Sequence, residues 1–83
     1  MNTGFIKLSD KKGFFVENEP NTPYTENGFL HYGYFVEYCV YIPDNGFMAV
    51  MHTVVNNQSE LDEIMKAPRK YMSRYYRPQR IGL

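Results

Sequence analysis

The stretch Phe29–Ile42, FLHYGYFVEYCVYI, with the Pro43-Asp44-Asn45-Gly46 that follows it and the run FMAVMHTVV over 47–55, decides the fold. Its even positions are Leu30, Tyr32, Tyr34, Val36, Tyr38, Val40 and Ile42; its odd positions are Phe29, His31, Gly33, Phe35, Glu37, Cys39 and Tyr41. One set is wholly apolar or Tyr and the other is mixed, the period-two pattern of a half-buried strand. Gly33 marks a bulge or bend in so long a strand. Pro43-Asp44-Asn45-Gly46 has turn chemistry, so 47–55 returns as an antiparallel partner. Pairing Ile42 with Phe47 sets Val40 opposite Ala49, Tyr38 opposite Met51 and Val36 opposite Thr53. On the other face it sets Glu37 opposite His52 and Cys39 opposite Val50. A bulge at Gly46 would slip this register by one residue and reverse the faces.

On the N-terminal side, residues 4–8 (GFIKL) and 14–17 (FFVE) read as a hairpin across a 9–13 turn in which Gly13 supplies φ > 0. Residues 18–28 hold two prolines, three Asn and one Gly, and read as a loop. On the C-terminal side, Asn57 with Glu60 three residues on fits a capping box, with Ser59 an alternative cap. Glu60, Asp62 and Glu63 suit the first turn of a helix. Pro68 must kink that helix or restart it, and Pro78 and Gly82 close it. The expectation is an α+β domain of order ββββα. A four-stranded antiparallel sheet is covered on one face by a C-terminal amphipathic helix, kinked or split at Pro68. One domain spans 1–83: sheet over 1–55, helical segment over 56–77, basic tail over 78–83.

Eighty-three residues allow no second domain. A chain this short buries only roughly 60–65% of its unfolded surface, so its stability is small unless a partner adds to it. With 43% hydrophobic residues it is too apolar for disorder, and no apolar run is long enough for a bilayer span. One Cys excludes an internal disulfide and a Cys-rich zinc site. With no signal-peptide pattern and a free thiol, the expected compartment is the cytoplasm. In the expected register the uncovered face shows Phe35, Tyr41, Val54 and Met48, which calls for a homodimer or a partner protein.

The formal charge is zero, but residues 1–63 carry three cations against all nine acids, −6, whereas 64–83 carry six cations and no acid, +6. At 100° per residue, Leu61, Ile64, Met65, Pro68, Tyr71, Met72, Tyr75 and Tyr76 share one arc and the cations the opposite one. A solvent-facing helix ordinarily relieves such repulsion with Glu at i,i+4. Its absence points to an acidic partner, the alternative being a basic segment folded back on the acidic body or on another copy. Arg grips phosphate bidentately, and cations interleaved with aromatic rings suit single-stranded nucleic acid. The expected function is therefore a non-catalytic protein that binds RNA or single-stranded DNA. Lys66, Arg69, Lys70, Arg74, Arg77 and Arg80 would contact phosphate, and Tyr76 would stack. The alternative is a protein–protein inhibitor or adaptor of a larger complex, like the small accessory proteins of phages and mobile elements.

The other constellations are thin. Glu37 beside His52 could form a base pair for proton transfer, but a local ion pair explains it as well. A carboxylate near Cys39 raises its pKa, against a catalytic thiolate. No metal-ligand spacing and no Gly-rich phosphate loop stands out. The sequence reading is of no enzyme, no metal and no cofactor.

Overall fold

The computed structural model describes residues 1–74. Five strands, β1 (Gly4–Ser9), β2 (Lys12–Val16), β3 (Thr22–Glu26), β4 (Phe29–Ile42) and β5 (Gly46–Val55), precede two short helices, α1 (Gln58–Lys66) and α2 (Pro68–Arg74). The chain is an α+β domain with an antiparallel sheet, but that sheet has five strands, not four. The fifth is β3, inside the expected loop. β3 pairs with the first five residues of β4 through Asn27-Gly28, both at positive φ (54° and 82°), the two-residue turn whose twist matches a hairpin. Pro23 is tolerated because an edge strand can do without one ladder donor.

β2 and β5 flank the rest of β4, with β1 outside β2. Where β2 ends, Glu17 closes the gap before β3: its N–H donates to Phe35 O (2.9 Å), and its carboxylate accepts from Phe35 N (3.1 Å) and Thr22 Oγ1 (2.9 Å). A backbone donor between two strands is thereby satisfied.

The β4–β5 hairpin departs from the expected register only near its turn. Asn45 N donates to Ile42 O with Asp44 at φ 71°, so Ile42 closes on Gly46 rather than Phe47. Tyr41 then faces Phe47, Val40 faces Met48 and Cys39 faces Ala49. A bulge at Val50, between the partners of Tyr38 and Cys39, restores the expected pairs Tyr38–Met51, Glu37–His52 and Val36–Thr53. Because of the bulge, Met48 sits on the helix-bearing face, not the open one. Gly33 is not a bulge. It lets strands approach closely: a Cβ there would lie 2.5 Å from Val54 Cγ1 and 2.8 Å from Val55 O. Gly13, expected in the turn, is a β2 residue whose missing side chain makes room for the Phe5 ring; a Cβ would lie 2.4 Å from Phe5 Cζ.

The core lies between one sheet face and the helices. Phe14, Val16, Val36, Tyr38 and Val55 meet Leu61, Ile64 and Met72, all buried. Ile6, Tyr34, Val40, Met51, Met65 and Tyr71 pack around them. The opposite face is not uniformly open. Tyr24, fully buried, reaches from β3 to Gly33, and Val54 beside it is buried too, not open as its register predicted. The Tyr24 hydroxyl donates to Asn56 Oδ1, tying β3 to the end of β5. The rest of that face shows Phe5, Phe15 and Tyr41, each 44–47% exposed.

Candidate nucleic-acid interface

The basic ridge is built by the way α1 ends. Asn57 caps the helix, its side chain accepting from Glu60 N at 2.9 Å; the Glu60 carboxylate accepts in turn from Asn56 N at 2.8 Å. This is the expected capping box, its return bond shifted by one residue. Leu61 and Ile64 point into the core one turn apart. Lys66 occupies the last turn, where the helix dipole favours a cation. Ala67 leaves helical geometry (φ −151°, ψ 80°), and Pro68 starts α2 at a position where its missing N–H removes nothing. The Ala67 carbonyl accepts from Lys70 N (3.1 Å) and Tyr71 N (3.0 Å), so the helix splits at Pro68 rather than kinks.

The split brings three of the expected cations together. Lys66, Arg69 and Lys70 are exposed around the α1–α2 junction while Met72 is buried beneath them. The Arg69 guanidinium stands 5.9 Å from the Tyr38 ring, and Lys70 Nζ 5.3 Å from the Tyr71 ring. A cation over an aromatic face is attracted by the ring's quadrupole. Among the described residues neither Lys66 nor Lys70 has a carboxylate within 4.0 Å. Tyr71 packs on the core, so its ring serves the fold. Arg74 ends α2. Tyr76, Arg77 and Arg80 lie outside the described residues.

On the opposite sheet face, Glu37 and His52 are cross-strand partners. They line an open depression of about 450 Å³ with Ala49, Val50 and Met51, beside the bulge. The His52 ring leans on Phe35 (centroids 5.6 Å apart) and is exposed; among the described residues no hydrogen bond joins it to Glu37. No group of three or more His, Cys, Asp or Glu side chains among the described residues could hold a metal ion. Cys39 is buried, and its thiol donates toward the Glu37 carbonyl at 3.8 Å. Burial, and then the Glu37 charge, push the thiol pKa up, against a lowering hydrogen bond with the Phe15 backbone. Thiolate is therefore scarcer at any given pH than for a free cysteine. Glu37→Gln removes the second cause and leaves the first. Labelling of Cys39 by a thiol-specific reagent should then turn on at lower pH than in wild type, though still above the ordinary thiol value. An unshifted rate-against-pH curve would show that the carboxylate does not act on the thiol.

Sequence reasoning missed the Glu17 clasp and the Tyr24 cover, both consequences of β3. The available signal was Asn27-Gly28, outweighed in the reading by Pro20 and Pro23. No protein-family model, curated protein or solved structure matches the chain.

Proposed function

We propose that the protein is a non-catalytic binding protein that contacts RNA or single-stranded DNA through the α1–α2 ridge. The observation that carries this reading is the exposure of Lys66, Arg69 and Lys70 around the α1–α2 junction, while Leu61, Ile64 and Met72 of the same helices are buried. No acid follows Glu63 in the sequence. Phosphate contacts release counterions, so affinity falls with salt at a slope near −0.7 per contact on a single strand. Arg69, steadied against Tyr38, offers the planar donor fork that fits a phosphate; Lys66 and Lys70 act as point charges to either side.

The test is binding of a labelled single-stranded oligonucleotide over a salt series from about 25 to 300 mM. The double variant Lys66→Gln/Lys70→Gln keeps the buried stripe and should fold. Its log–log salt slope should be shallower by about 1.4, two contacts' worth, with weaker binding at every salt. Absence of wild-type binding at the lowest salt, or an unchanged slope in the variant, refutes the ridge.

A further inference from the structure

We propose that the open sheet face is the docking surface for a second copy of this chain, making an isologous dimer with the basic ridges on its two outer sides. Register places the residues of that face. One row runs Phe5, Phe15, Glu37, His52 across β1, β2, β4 and β5, the next Lys7, Gly13, Cys39, Ala49, and a third joins Tyr41 to Phe47. β1 and β5 are the outer strands, yet the rings of Phe5 and Phe47 meet at 4.9 Å, and Tyr41 stands edge-on to Phe47 at 5.6 Å. These rings bridge a floor of small residues, Gly13 and Cys39, both buried. The Phe5 ring crosses Gly13, where any side chain would strike it. Large apolar groups are thereby gathered at the middle of the face, with Phe15 and Tyr41 still nearly half exposed. Charged Lys7 and exposed His52 stand on its outer strands.

Area and charge select the occupant. Four strands about 4.8 Å apart and about seven residues long at about 3.4 Å each span roughly 450 Å² in plan. That exceeds half of the ~800 Å² per partner of a standard stable interface, before side-chain relief is counted. A patch of roughly 450 Å² is the size of the largest patch on a typical monomer, which is often functional, and aromatic residues are enriched in interface centres. Residues 1–55, which build the sheet, have six acids against three cations, which opposes a polyanion there. A second copy is acidic over the same residues, but the rows that would meet hold one cation and one acid, Lys7 and Glu37, to set against their own image. Face-to-face packing of two such sheets also supplies the second layer of burial that a chain of this length lacks.

The test is sedimentation equilibrium of the full chain over about 1 to 200 µM, without nucleic acid. The expected mass tends to twice 9.8 kDa. Phe15→Glu and Tyr41→Glu, on two strands and both at exposed positions, should each raise the dissociation constant by about tenfold or more. Their circular dichroism should match that of wild type at low concentration. Lys70→Glu, on the other side of the molecule, should leave the dissociation constant unchanged. A wild-type mass near 9.8 kDa throughout overturns the proposal. So does a dimer that both folded variants preserve, which would place the interface elsewhere. The ridge reading stands or falls separately, on the oligonucleotide titration.

Discussion

Phe14→Ala should lose about 3–5 kcal/mol, the range for emptying a buried aromatic site. Phe14 is fully buried in β2, its ring 5.2 Å from that of Tyr38, among residues that both helices touch. A domain of this length has a total stability of only about 3–5 kcal/mol. Urea denaturation followed by circular dichroism should therefore find the variant largely unfolded before denaturant is added. Phe15, the next residue, points to the opposite face and is 44% exposed. Phe15→Ala, measured at a concentration that keeps the chain monomeric, should cost about 1 kcal/mol or less. Equal losses at the two positions would contradict the assignment of faces in β2.

Tyr24→Ala should cost a similar 3–5 kcal/mol, although its residue stands in a segment with two prolines nearby. The side chain is the largest fully buried one, stacked with His31 at 5.3 Å and set against Gly33. Removing it uncovers Val54 as well. Tyr24→Phe keeps the ring and loses the hydroxyl bond to Asn56, for about 0.5–1.5 kcal/mol. A Tyr24→Ala variant within about 1 kcal/mol of wild type would mean that β3 is a passive flap, since cavity formation in a packed site cannot be that mild.

The parts of the fold carried by neighbouring residues were legible. Alternation along 29–42, the Pro43–Gly46 turn chemistry, the Asn57 cap and the position of Pro68 are all local, and each element stands where these signals put it. The central pairs of the hairpin followed because a buried face penalises any slip there. Closer to the turn, Gly46 at φ 82° and Asp44 at φ 71° close the loop one residue early, and Val50 is extruded to compensate. No local preference marks Val50 for that role. Of the candidate site, the amphipathic arc was readable from residue spacing. That Tyr38 would support Arg69 was not, because the two are 31 positions apart and meet only through packing.

Residue order alone determined the elements that short-range chemistry controls: the long central strand, its turn, the helix start, the break at Pro68 and the separation of acidic from basic halves. Tertiary structure decided which face each strand shows and what covers it. Tyr24 closes over Val54, Phe5 crosses Gly13, and Met48 changes sides through one extruded residue. The reason is physical. Strand alternation has only two outcomes, and the choice between them is made by the volume available against distant residues, a quantity that no local window of sequence contains.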